Sequence, residues 1–457
     1  MTYFMKKVTK PRTFDRRQVM ITTIVMSMRL NSFVLAFGGV TALALGFAAI
    51  PSDKPKEALK VPAKPTYAEH VAPILNDKCV QCHRPGEVAP FSLIGYDNAK
   101  KWAAMNAVVT HSKQMPPWKA RSGYGEFADD AQLSPEQIEI LKLWSDQGAS
   151  RGNKAKEPKA PTFSSEWALG KPDLVVTQKT PYAITPEGTD EYRNFVIPTN
   201  FKEPVWVKAM DVKPGNARVV HHVIVFLDNN GQSEKLAAKT TDGREGYETF
   251  GGVGFVPNGS FGGWAPGLRA RKLPEGKAFK LEPGARLVLQ VHYNKSGKPE
   301  TDQTKVGLYF SKEPVEQEVE LAWLFNVFLK IPAGEKAHKQ VYRQTIPADI
   351  TVYAVMPHMH LLGKEMKAWV EKPDKSITPL IHVQNWDFNW QLNYLYKEPV
   401  KIPKGSKIIV EAIYDNSSDN PNNPSNPPKP VNVGERTTDE MQLLVAAYTV
   451  DGQTVKK

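Results

Sequence analysis

Only two cysteines occur in 457 residues, and both lie in the pentapeptide Cys79-Val80-Gln81-Cys82-His83. That excludes a disulfide-stapled scaffold, so every folded part of the chain must be stable from its own apolar core. The pentapeptide is also chemically specific. C-x-x-C-H attaches a c-type haem: two thiols add to the vinyl groups, and the adjacent histidine reaches the iron from one face. A thioredoxin-like C-x-x-C would need a βαβ setting, which the flanking sequence does not offer, and a four-cysteine zinc site would need two more cysteines.

The flanks read as short helices. Thr66-Tyr67-Ala68-Glu69 has the pattern of a capping box that starts a helix running toward Asn76. Ser134-Pro135-Glu136-Gln137 has the same pattern with proline at the first helical position, and Ile138, Leu141 and Trp144 follow on one stripe before Gly148. This helix–motif–loop–helix outline predicts a small all-α cytochrome c domain over residues 62–152. Its iron would take His83 on one side. Met115, in Met115-Pro116-Pro117-Trp118, is the leading candidate for the other, with Met105 and His111 as alternatives; a thioether ligand raises the haem potential. His70 reads as a surface histidine.

Charge is unevenly placed. The formal net charge is +11, but residues 1–50 hold seven basic residues and one acid, so residues 51–457 carry only +5. The basic segment precedes a weakly polar to apolar run from Phe33 to Ile50, closed by Pro51-Ser52-Asp53. Residues 1–50 therefore read as an export signal or, uncleaved, an N-terminal anchor, placing the remainder in the periplasm or outside the cell. Membrane contact is expected only in the uncleaved form. Met28 is an alternative start. A mildly basic mature chain gives no reason to expect a nucleic-acid partner.

Residues 153–164 form a Lys/Pro-rich linker. Beyond it, runs such as Val219–Leu227, Arg286–Tyr293 and Lys407–Tyr414 alternate with turn signals such as Lys213-Pro214-Gly215. That pattern predicts antiparallel sandwiches, and about 290 residues is too long for one, so two are expected, over 165–315 and 316–457. Five of the chain's 10 histidines fall on three strand-like segments: His221-His222, His292, and His358-Met359-His360. His358 and His360 share a strand face, whereas His221 and His222 reach one metal only with a local twist or through different ring nitrogens. Imidazoles combined with thioethers suit copper.

Val220-His221-His222-Val223, Leu289-Gln290-Val291-His292-Tyr293, His358-Met359-His360-Leu361-Leu362-Gly363 and Asp439-Glu440-Met441 occur in the order found in copper type II, ascorbate-dependent monooxygenases, and residues 168–450 resemble that family. The resemblance implies two all-β jelly-roll sandwiches facing each other across a cleft. It implies one copper on His221, His222 and His292, and a second, O2-binding copper on His358, His360 and Met441, the catalytic set. The substrate would be a small organic molecule with a C–H bond to hydroxylate. Electrons would come through the covalent haem from an external donor, with ascorbate as a further reductant. The alternatives are a non-catalytic periplasmic electron-transfer or copper-binding protein, and a cytochrome fused to a carbohydrate-binding sandwich.

Departures from the family pattern are informative. The peptide-processing relatives hold a substrate carboxylate with an arginine, an asparagine and a tyrosine, and the matching positions here are Met356, Leu443 and Val445. Met356, Met359 and Met366 otherwise read as packing residues. Trp386-Asp387-Phe388-Asn389-Trp390 is aromatic enough for a binding wall but reads first as core packing, Phe250–Gly254 reads as a glycine-rich loop, and His338 and His382 as structural.

Overall fold

A computed structural model describes residues 60–455 apart from 88, 129, 164–166, 250 and 251. The predicted export segment, residues 1–50, lies outside the described residues. No described helix is long and apolar enough to cross a membrane.

The described chain is mostly β-sheet with few helices. Between residues 165 and 457, four larger sheets form two stacked pairs. In the first pair, the sheet containing Val205–Lys213 and Lys305–Phe310 packs on the sheet containing Glu191–Pro198, Val220–Asp228, Gly259–Trp264 and Arg286–Tyr293. Val207, Val212, Leu281 and Leu308 from one layer and Phe195, Val223, Leu289 and Val291 from the other share a single buried core. In the second pair, the strands Glu320–Phe325, Leu443–Val450, Ile350–His358 and Tyr394–Ile402 lie over His338–Thr345, Lys407–Tyr414, Gly363–Glu371 and Ile377–Val383. Their shared core includes Val352, Val355, Leu444 and Ala446 against Met366, Ala368, Val383, Val410 and Tyr414. These are β-sandwiches whose strands alternate inward apolar residues, as the period-2 runs predict. A native disulfide in a small secreted domain contributes about 2–5 kcal/mol, roughly what two fully buried Leu or Phe side chains supply. Cores of this size replace such bonds without difficulty.

The N-terminal part is helical. A single π-turn, Tyr67–Val71, leads into the helix Ala72–Lys78; Tyr96–Lys101, Ala103–His111 and Pro135–Asp146 follow. The Ser134 capping box forms as predicted, with Ser134 Oγ accepting from Gln137 N and Gln137 Oε1 accepting from Ser134 N. The Thr66 box does not. Thr66 has no side-chain cap; its amide donates to His70 Nδ1 at 3.1 Å, and the first turn is π rather than α. Pro73 explains this locally: it has no N–H to give the Glu69 carbonyl, so the ladder must widen before it resumes. Tyr67, Val71, Leu75, Val80, Leu141 and Trp144 form the core of this helical unit.

A strap connects the helical unit to the second sandwich. After Pro116 and Pro117 the chain runs along the edge of that sandwich, with bridges Ala120–Val383 and Phe127–Tyr396. Arg121 N donates to His382 O (2.8 Å), Ala128 N to Leu395 O (2.8 Å) and Lys397 N to Glu126 O (3.0 Å). Ala120 and Phe127 are buried within the sandwich core, and Trp118 lies edge-on to Tyr394 with ring centroids 4.9 Å apart. Phe127→Ala should therefore cost the C-terminal sandwich about 3–5 kcal/mol, read as a lower urea midpoint. An unchanged midpoint would mean that the strap does not dock.

Candidate metal centres

The first histidine set depends on a β-bulge. Val220–Asp228 pairs antiparallel with Arg286–Tyr293, Val220 opposite Tyr293 and His222 opposite His292, so His221 is an extra residue in the ladder. A bulge turns two successive side chains toward one side, which resolves how His221 and His222 converge. The Nδ1 atoms of His221, His222 and His292 form a triangle with sides of 3.3, 3.2 and 3.4 Å. An equilateral triangle of side 3.3 Å has its centre about 1.9 Å from each corner, close to the metal–imidazole bond length of roughly 2.0–2.1 Å. Among the described residues, this is the group of His, Cys, Asp or Glu side chains arranged to hold a metal ion.

Neighbours fix the ring orientations. His292 Nε2 donates to Asp190 Oδ2 at 3.1 Å, leaving the Nδ1 lone pair for the centre of the triangle. Asp190 also accepts from Thr437 Oγ1 at 3.0 Å, and Thr437 belongs to the loop that leads to Met441. Burial acts to raise the Asp190 carboxyl, but the His292 and Thr437 hydrogen bonds prevail and hold it below the usual carboxylate range. Tyr192 stacks on His292 with centroids 4.2 Å apart.

The second set lies on the other sandwich. His358 ends the strand Ile350–His358, and His360 follows in the turn to Gly363–Glu371. Their rings are 5.1 Å apart and nearly perpendicular, while the intervening Met359 is fully buried in the core. His358 Nδ1 donates to Gln391 Oε1 (2.7 Å) and His360 Nδ1 donates to Asp439 O (3.1 Å), so both Nε2 atoms are left as ligand atoms. Met441 lines the same cavity as the two rings.

Glu440 organises this turn. Its buried carboxylate accepts from the backbone N–H groups of His360 (2.9 Å), Leu362 (2.6 Å) and Met441 (3.2 Å), joining the His358–Gly363 turn to the methionine segment. Burial pushes its pKa up to about 8, opposed by those amide donors. Gly363 follows the turn because a Cβ there would lie 2.8 Å from Trp386 Cδ1 and Met359 Cβ. Sequence reading assigned no role to Asp190, Glu440 or Gln391; isolated polar residues carry no periodic signal. The Trp386–Trp390 segment, expected in the core, has a more specific place. Trp386 Nε1 donates to His360 O (3.0 Å), and the Phe388 ring packs against His221 of one set and His360 of the other.

Burial depresses the pKa values of His221, His222, His358 and His360, and neighbouring imidazoles add to the effect. His221 falls to about 4, His358 to about 3, and His222 well below its ordinary value. His360 also falls, to about 4, because it is buried. Neutral imidazoles are the form a metal requires.

One cavity of about 650 Å³ joins the sites. All six predicted ligands line it, and so do Cys82 and Pro116–Trp118 of the helical unit. Met356, Leu443 and Val445 also face it, from adjacent strands with Met356 paired to Val445 and His358 to Leu443. In the helical unit, Cys79 caps the helix Ala72–Lys78 and His83 Nδ1 donates to Phe91 O at 3.2 Å, which leaves Nε2 for a ligand. Burial raises the Cys79 thiol to about 12. Met115 follows the helix Ala103–His111 and leads directly into the cavity-lining prolines.

Residues 335–450, about a quarter of the chain, match the family model of the copper type II ascorbate-dependent monooxygenase C-terminal domain. No curated protein matches. Solved structures with some similarity include the major capsid protein P2 from bacteriophage PM2, at 8% identity and a TM-score of 0.24, covering 62% of this chain and 98% of that one. The infectious bursal disease virus VP2 subviral particle matches at 7% identity and a TM-score of 0.19, covering 62% of this chain and 73% of that one. Scores this low carry no argument about fold or function.

Two expectations follow from the site. Glu440→Gln should weaken copper binding at the second set roughly 10–100-fold, as loss of an outer-shell partner does elsewhere, while the first set keeps its affinity; calorimetric titration reads both. In chelator-treated protein, unfolded histidines gain protons below about 6.5, whereas His221 resists until about 4. The unfolded state then binds more protons, so the stability that His221 contributes is complete above pH 6.5 and is lost as the pH falls toward 4. Melting temperatures across that range should drop, and less steeply in His221→Gln. A flat wild-type profile would contradict buried neutral imidazoles.

Proposed function

We propose how the work is divided within a copper type II, ascorbate-dependent monooxygenase, the enzyme class that the match of residues 335–450 supports. His221, His222 and His292 hold one copper ion through Nδ1. His358 and His360, through Nε2, hold a second together with Met441. Bound copper supplies one-electron chemistry and O2 activation. The supporting observation is the Nδ1 triangle of 3.2–3.4 Å, which fits a single ion.

The two ligand sets suit different tasks. Three imidazoles accommodate both Cu(II) and Cu(I), as an electron-gathering site needs. The soft sulfur of Met441 favours Cu(I), the form that meets O2. Each turnover converts R–H, O2, two electrons and two protons into R–OH and water. The wall formed by Met356, Leu443 and Val445 receives the apolar part of the substrate beside the second set. A substrate carboxylate there would lie unpaired against hydrocarbon, which is costly. The substrate is accordingly a small neutral aromatic or aliphatic C–H donor rather than a glycine-extended peptide.

The helical unit at residues 62–152 carries a covalent c-type haem on Cys79 and Cys82, with His83 and Met115 as axial ligands, ahead of jelly-roll domains at 165–315 and 316–457. The His83 Nδ1–H to Phe91 carbonyl bond supports this, since it fixes the tautomer that offers Nε2 to iron. Cys82 opens onto the cavity that the histidines line, a favourable position for passing electrons from an external donor to the first set. Ascorbate serves as a further reductant. The basic–apolar segment within residues 1–50 directs the chain out of the cytoplasm.

Metal and haem analysis of the purified protein should return two coppers and one haem per chain. Met441→Ala should keep both coppers yet lose at least about two orders of magnitude in kcat, as expected when a group engaged in the chemistry is removed. Rapid mixing of reduced haem protein with and without Cu(II) should give fast haem reoxidation only in the loaded form. A glycine-extended peptide turned over as fast as a neutral aromatic would overturn the substrate assignment.

A further inference from the structure

Phe388 is placed to touch both histidine sets. Its ring stacks on His221, with centroids 5.1 Å apart and planes 21° from parallel. It presents to His360 at 5.9 Å and 81°. The His221 and His360 ring centroids are consequently no more than about 11 Å apart, and the phenyl ring contacts both.

The turn that carries Phe388 is tied to the second set. Gln391 Nε2 donates to Phe388 O at 3.0 Å, while Gln391 Oε1 accepts from His358 Nδ1 at 2.7 Å. Trp390 N donates to Asp387 O (2.9 Å), and Asp387 is 3.7 Å from Lys119 of the strap. The backbone of the turn is thus anchored, but the ring itself is held by aromatic contacts worth about 0.5–1.5 kcal/mol each. Such contacts are strong enough to keep the ring in place at rest and weak enough for an apolar substrate to displace.

We propose that Phe388 is a specificity-determining and positioning residue: its ring plugs the interval between the two sets, excludes water from it, and limits the size of the organic group that reaches His358, His360 and Met441. This rests on the reading that both sets hold copper. Water exclusion matters because of what competes with hydroxylation. When O2 takes two electrons and two protons without a C–H bond in place, the product is hydrogen peroxide rather than R–OH and water, with ascorbate supplying the electrons in either case. A closed interval favours the productive outcome.

The test uses the copper-loaded full chain and the variants Phe388→Ala, Phe388→Leu and Phe388→Trp. Copper content comes first. Fewer than two ions per wild-type chain would overturn the underlying reading, and the inference with it. With two ions bound, water-proton relaxation of the Cu(II) protein should rise in Phe388→Ala and stay near wild type in Phe388→Leu and Phe388→Trp. This arm needs no substrate. With ascorbate, O2 and toluene, ethylbenzene or propylbenzene, Phe388→Ala should release on the order of fivefold more peroxide per O2 consumed. It should also shift the kcat/KM order toward the largest donor, and Phe388→Trp toward the smallest. Unchanged relaxation in Phe388→Ala, with the same peroxide yield and donor order in Phe388→Ala and Phe388→Trp, would overturn the proposal. Phe388→Leu, close in volume, keeps the test decisive if the alanine variant fails to fold.

Discussion

One carboxylate couples the two histidine sets. Asp190 precedes the strand Glu191–Pro198 of the first sandwich, accepts a hydrogen bond from His292 Nε2, and accepts another from Thr437 Oγ1 on the second. Its two partners hold it ionised against the cost of burial. That single group sets the tautomer of His292 and ties it to the loop that carries Met441. Tyr192 repeats the link one position away along the chain, stacking on His292 while its hydroxyl donates to Glu435 O at 3.1 Å. These ties help hold the two sets, each carried within its own sandwich, on the walls of one cavity.

What sequence reading recovers, and what it misses, divides along the same physical line. His358 and His360 are legible as a pair because side chains two residues apart share a face in extended chain, and their rings do lie together across the buried Met359 although the strand ends at His358. His221 and His222 break the parity. Their convergence needs a bulge, and the register shift that makes it is set by pairing with Arg286–Tyr293, far away in sequence. Asp190, Glu440 and Gln391 are single polar residues whose value lies entirely in what folding brings to them. Nothing local distinguishes Glu440 from a surface acid, yet it is fully buried and collects three backbone donors. The two capping patterns make the same point on a smaller scale. Ser134 forms its box, whereas Thr66 loses its box because Pro73 disturbs the first turn.

The Pro116–Trp118 segment shows how one short sequence can meet two demands. Its two prolines stiffen the chain directly after Met115, at the end of a helix of the helical unit. The fold uses the same rigidity to send the chain outward along the second sandwich, where Ala120 and Phe127 join the core and Trp118 packs on Tyr394. A chain without disulfides has no covalent staple between its parts, so burial along such a strap is the available way of fixing the helical unit against the sandwich. Pairing at an edge also covers backbone groups that would otherwise invite association with another chain.

The strand Leu443–Val450 carries the last constraint. Its near-continuous apolar run, Leu443-Leu444-Val445-Ala446-Ala447, looks like an ordinary buried strand, and a one-sided sheet would have alternated with polar residues. Both faces are in fact used. Leu444 and Ala446 pack into the sandwich core, while Leu443, Val445 and Ala447 face the cavity beside Met441. Met356 on the neighbouring strand extends that second face. An apolar surface of this kind is tolerable only where another surface or an apolar ligand covers it. The opposing sheet meets it in part, through the stacking of Phe226 on Trp323 with centroids 6.1 Å apart. The rest of that face, Leu443 and Val445 with Met356, forms the apolar wall of the cavity beside His358.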